Sequence, residues 1–173
     1  MSFTLYDALV PNWLQTLDAV SGLLDKAQAH CAGHTLPDSA LIEARLAPDM
    51  FPLGFQVNSV VVHSIGAIEG VRRGTFSPDR SPWPDTLAGL KARVADARQA
   101  VAALDPGEVN GFFGRDMCFE APGRRIDFTA QDFLLSFSVP NFFFHATTLY
   151  DILRNQGLPL IKRDYLGPMR RKA

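Results

Sequence analysis

From Phe133 to Tyr150 the chain carries no charged residue. A run of that length is at the threshold for a membrane-spanning helix. Its content argues against that use. Ser136, Ser138, Pro140, Asn141, His145, Thr147 and Thr148 all fall within it. A lipid-facing helix would leave those groups without partners, whereas a helix buried in a bundle can turn them toward other helices. The segment therefore predicts a bundle with a polar line inside an apolar helix, and no membrane span.

Three more helical patterns supply the partners. Leu5, Leu9, Trp13, Leu17, Val20, Leu24, Ala27 and Cys31 recur three or four apart, which is one helical face from about Thr4 to Ala32. Pro11 predicts a kink or a late start, and Gly33 predicts the stop. A second helix starts near Phe55 and ends in "VRRG", where Arg72 and Arg73 suit the negative end of the dipole and Gly74 the cap. The third carries Leu87, Leu90, Val94, Ala97, Val101 and Leu104, and "DPG" at 105–107 ends it.

The period then changes. In "DMCFEAPGRRIDF", Met117 and Phe119 precede a Pro122-Gly123 turn and Ile126 and Phe128 follow it, which predicts a β-hairpin. Thr129 and Asp132 resemble a capping box for the last helix, which runs to about Asn155 with a break near Pro140. The fold class is mainly α: a four-helix bundle with a small β-hairpin inserted before the last helix, in a single domain over residues 1–173.

Hydrophobic residues make up 47% of the chain, enough for one core without metal or disulfide staples. Lys plus Arg is 17 against 18 for Asp plus Glu, a balance that excludes a general binder of nucleic acid or of membrane surfaces. The basic cluster from Lys162 to Lys172 reads as a solvated, frayed tail. Cys31 and Cys118 have no metal spacing and suggest no disulfide, and the opening residues do not resemble a signal peptide. Together these predict a cytoplasmic protein.

The usual catalytic signatures are missing: no GxSxG, no P-loop, no HExxH. Chemistry is left to four histidines. His30 and His34 have ligand spacing, but a helix ending at Gly33 would keep them off a common face. His63 and His145 each lie in a strongly apolar helix. Ser59, His63, Gly66 and Gly70 form one stripe, and Ser138, Asn141, His145 and Thr148 form another. Facing each other, the stripes would bring the two imidazoles together, with Asn141 one turn before His145 and room left by Gly66 and Gly70. The alternative is that each histidine is a core residue satisfied by its own hydrogen bonds. Phe142, Phe143 and Phe144 point in three directions, so at least one should cover the hairpin or a second subunit.

"PNFFFHATTLYDILRNQGLPLIKRDYLG" (140–167) resembles the C-terminal signature of an uncharacterised domain family of the DinB/YfiT-like metalloenzyme superfamily. "LYDALVPNWLQTLDAVSGLLDKA" and "DMFPLGFQVNSVVVHS" are similar to the same family. The resemblance covers essentially the whole chain. It implies a DinB-like four-helix bundle, a homodimer, and a divalent-metal site (zinc or nickel) between helices. It implies His63 and His145 as the metal ligands; the polar stripes themselves add Asn141, Thr148 and Ser59 as ligand-binding residues. The superfamily uses a second histidine on the last helix, and the positions available here hold Asn141 and Leu149. Two imidazoles and an amide oxygen make a weaker site than three strong donors. Two functions stay open: a metal-dependent thiol transferase or hydrolase acting on a small molecule, or a metal-free module that binds a small ligand or simply forms a dimer.

Overall fold

A computed structural model of the chain describes residues 2–79 and 81–172. Helix α1, Leu5–His34, opens on the side chain of Thr4, which accepts from Asp7 N at 3.2 Å while Asp7 Oδ2 accepts from Thr4 N at 3.0 Å. The helix passes through both expected breakers. At Pro11 one backbone hydrogen bond is lost, and a proline in a helix interior costs about 3 kcal/mol. Leu9, Val10 and Trp13 flank it, each essentially fully buried. At roughly 1.5–3 kcal/mol per buried apolar side chain, their packing outweighs the loss. Gly33 also stays helical, and the stop is Thr35, in the left-handed conformation at φ 55° with its N–H on Ala32 O. His30 and His34 therefore share a face, contrary to the sequence expectation.

A short α2 (Ser39–Ile42) leads to α3, Leu53–Val62, and α4, Ile65–Arg73. The second long helix is thus two, broken at His63 and Ser64. Ser64 leaves helical geometry (φ −109°, ψ −95°), and its hydroxyl donates to Val60 O at 2.9 Å. The apolar period continues across the break, which is why periodicity could not reveal it. Gly74 ends α4 with φ 75°.

Strand β1 (Thr75–Phe76) follows, then α5 (Leu87–Ala102), capped by Thr86, and α6 (Pro106–Asn110), where the sequence suggested only a stop. The hairpin is β2 (Asp116–Ala121) with β3 (Arg124–Thr129). Met117 pairs with Phe128 and Phe119 with Ile126, while β1 adds to β2 in parallel as a third strand. Thr129 caps α7 (Ala130–Asp132), donating to Asp132 Oδ2 at 2.7 Å. A π-helical segment, Phe133–Ser138, precedes α8, Val139–Asn155. The break foreseen near Pro140 takes this form: proline has no N–H to continue an α-ladder, and Pro140 lies in the first turn of α8, where none is needed.

The bundle is a closed ring in which α1 packs on α5, α5 on α3, α3 on α8, and α8 on α1. Phe133, Leu134, Ser138, Phe142, Ala146, Thr148 and Leu149 are all buried, so the uncharged segment spends its apolar surface inside the ring. Among the described residues no helix is long and apolar enough to cross a membrane. Of the three consecutive phenylalanines, Phe142 is in the core, Phe143 is half-buried and Phe144 is exposed. The first half of the basic tail is not frayed: it forms α9 (Lys162–Leu166) against α1, where Lys26 pairs with Asp164 at 2.7 Å and Gln15 donates to Leu166 O at 2.8 Å. Residues 168–172 are exposed and without regular structure, as the sequence suggests.

Candidate functional site

The break between α3 and α4 and the π segment before α8 lie against each other. His63 ends α3, and Ser138 ends the π segment. Ser138 Oγ donates to the His63 carbonyl at 2.9 Å and lies 3.5 Å from His63 Nδ1. A π turn carries an extra residue, which changes the register of the chain before it relative to α8. Ser138 thereby reaches the His63 backbone while Asn141 and His145 continue onto the same side.

The two imidazoles face each other across α3 and α8. Their centroids are 5.7 Å apart and their planes are within 15° of parallel. Phe76 and Phe137 pack on His63 at 5.5 and 5.8 Å, and Phe55 and Phe144 on His145 at 5.8 and 5.3 Å. Burial pushes the His63 pKa down to about 3, with the neighbouring His145 charge adding to the effect, and burial alone pushes His145 down to about 4. Both rings are neutral at pH 7.

Hydrogen bonds fix their tautomers. Gln56 Nε2 donates to Phe51 O at 2.9 Å, which orients the amide so that its Oε1 accepts from His145 Nδ1–H at 2.7 Å. The Ser138 hydroxyl gives its proton to the His63 carbonyl, so across the longer 3.5 Å contact its oxygen can only accept from His63 Nδ1–H. The short bond to Gln56 keeps the His145 proton on Nδ1, the longer contact favours the same tautomer for His63, and in that tautomer each Nε2 carries a lone pair.

The pair opens on a cavity of about 220 Å³. Its polar wall holds Asn58, Ser59, His63, Asp79, Asn141 and His145; its aromatic wall holds Phe55, Phe76, Phe119 and Phe137. Asn141 Nδ2 donates to Phe137 O at 2.7 Å, leaving its carbonyl oxygen as an acceptor. Asn58 Oδ1 is buried and has no hydrogen-bond partner among the described residues. Burial pushes the Asp79 carboxyl up, but hydrogen bonds from Ser81, the Arg93 guanidinium and Asn58 outweigh it and hold it below the ordinary range. A larger groove of about 410 Å³ between Phe3, Leu5, Phe113 and Leu135 has no titratable group in its walls.

Of the residues singled out in the sequence, the fold brings His63, His145, Asn141 and Ser59 to one cavity. Thr148 is buried but is not part of its wall. Gly66 and Gly70 leave no room there either. The break at His63–Ser64 turns them away, and a Cβ on Gly70 would lie 3.0 Å from the Phe76 ring. Sequence reasoning missed Gln56, Asn58 and Asp79. Gln56 and Asn58 were visible as polar residues inside "GFQVNSVVV". Asp79 lies in a loop with no periodic signal.

A zinc bound to an imidazole nitrogen at 2.0–2.1 Å lies about 3.2 Å from the ring centroid, so two rings sharing a tetrahedral ion have centroids roughly 5.2 Å apart. The two rings, 5.7 Å apart, are near that spacing but wider than it. The donor set falls short. Among the described residues no group of three or more His, Cys, Asp or Glu converges on one point, and Leu149 is fully buried in the core. The residues do not fit a tight three-donor centre.

The family model for a domain of unknown function, DUF1993, matches residues 5–166. The crystal structure of a DinB family member from Shewanella denitrificans superposes with a TM-score of 0.80 at 28% identity, covering 98% of this chain and 95% of that one. None of the curated proteins compared with the chain matches it.

Proposed function

The chain belongs to the DUF1993 family and has the DinB-like helical fold, and on that premise we propose that the cavity between α3 and α8 binds a small molecule bearing hydrogen-bond donors. The observation that carries this reading is the facing pair of neutral imidazoles, each with Nδ1 engaged inside the protein and Nε2 without a hydrogen-bond partner among the described residues. His63 and His145 are the centre of the site, with Asn141 and Ser59 beside them in the wall. Nearly every polar atom supplied there is an acceptor: two Nε2 lone pairs, the Asn141 carbonyl and the Asp79 carboxylate. The remaining walls are phenyl rings, whose faces attract a cation. A primary ammonium on a compact apolar body satisfies both, whereas a carboxylate of the same size meets mostly lone pairs, with the Ser59 hydroxyl as a donor.

A metal-dependent thiol transferase or hydrolase is the second reading. The proximity of the two imidazoles is what keeps it open; the missing third strong donor weighs against it.

Isothermal titration of tag-free, chelator-treated protein with benzylammonium, benzoate, zinc and nickel separates the readings. Benzylammonium should bind and benzoate should not, with His145→Ala abolishing the heat. Benzoate binding equally well, or an unchanged titration in His145→Ala, would overturn the first reading. Submicromolar zinc lost in His145→Ala would establish the second.

A further inference from the structure

We propose that His30 and His34 form a two-histidine chelate for a divalent transition-metal ion at the C-terminal end of α1, separate from the cavity. Because α1 continues through Gly33, the two residues are one turn apart on one face. Their ring centroids are 4.2 Å apart, with planes 30° from parallel. Imidazoles in adjacent positions of a square-planar or octahedral ion have centroids about 4.5 Å apart, against roughly 5.2 Å for a tetrahedral one. The spacing fits copper(II) or nickel(II) better than zinc.

The tautomer also fits. His34 Nδ1 lies 2.9 Å from the His30 carbonyl oxygen, which can only accept. The proton sits on Nδ1, and Nε2 is left as the donor atom to a metal, the arrangement in which a carbonyl outside the coordination sphere holds a ligating histidine. His34 is exposed and His30 half-buried, so water can fill the remaining positions. Cys31, between them in sequence, faces the core at 3% exposure and is not a third ligand. The negative end of the helix dipole favours a cation at this turn. An ion here would cross-link the last turn of α1, from which the chain leaves toward α2.

The test is titration of tag-free, chelator-stripped full-length protein with copper(II), nickel(II), zinc and magnesium chlorides. One copper should bind per chain, more tightly than nickel or zinc, with no heat from magnesium. Affinity should fall at least tenfold in His34→Ala and stay unchanged in His63→Ala/His145→Ala. If the cavity variant does not fold, His30→Ala replaces it, with the same loss expected as for His34→Ala. Electron paramagnetic resonance at one equivalent of copper should report two imidazole nitrogens in the wild type and one in His34→Ala. Unchanged copper affinity in His34→Ala, or its loss only in the cavity variant, would overturn the proposal.

Discussion

Two neutral imidazoles, His63 buried and His145 half-buried, make this protein sensitive to acid in a defined window. In the unfolded chain a histidine titrates near 6.5; folded, His145 is lowered to about 4 and His63 to about 3. Below pH 6.5 the unfolded state therefore binds more protons than the native state. Stability is fully present above pH 6.5 and is lost as pH falls toward 4 for His145 and toward 3 for His63. Each histidine contributes a slope approaching about 1.4 kcal/mol per pH unit. Urea midpoints at pH 7.5, 6.5, 5.5 and 5.0 measure it. The expected result is a plateau followed by a steady fall, roughly halved in slope in His145→Gln. A flat profile to pH 5 would mean that the rings charge freely in the native state. The meeting of His63 and His145 was legible in the sequence, because spacings of three and four put each on the one polar line of an apolar helix. Gln56 was not. Its role depends on the carbonyl of Phe51, which precedes α3 and whose position no helical period encodes. Thr148 lies beyond the cavity wall, because equal spacing along α8 does not say where the cavity ends.

The helices themselves were legible, since each buries one apolar stripe, and the alternation of Met117, Phe119, Ile126 and Phe128 marked the hairpin. The irregular pieces were not. The α3–α4 break falls where Val60, Val62, Ile65 and Ile68 keep the apolar pattern going, and β1 is too short to alternate. The π segment was legible only as trouble near Pro140. These pieces nevertheless build the site: the break sets His63 at a helix end, β1 brings Phe76 against it, and the π segment supplies Ser138. Gly70 ties them together. Its Cα packs on Phe76, and a Cβ there would meet the ring at 3.0 Å. Gly70→Ala should push Phe76 toward His63, 5.5 Å from it. Overpacking of this kind costs typically 1–3 kcal/mol. Thermal unfolding at pH 7 should show a loss in that range together with a shift of the His63 ring signals. An unchanged melting temperature would show that β1 yields freely and is not part of the cavity wall.

At the scale of the whole molecule, the ring of α1, α5, α3 and α8 leaves its polar line between α3 and α8 and backs it with the sheet. The start of the tail was the clearest miss. The charges of Lys162 to Lys172 do face solvent, but Asp164, Tyr165 and the Leu166 carbonyl give α9 specific partners. The account's central claim is that His63 and His145 act as one acceptor site. Nitrogen-15 spectra of the imidazoles at pH 7 test it most directly, in a His30→Ala/His34→Ala background that leaves only the cavity pair. Both rings should be neutral, with the proton on Nδ1. Adding benzylammonium should move both Nε2 signals together, with one saturation curve. A protonated ring, a proton on either Nε2 before ligand is added, or a ligand that moves one ring and leaves the other would contradict it.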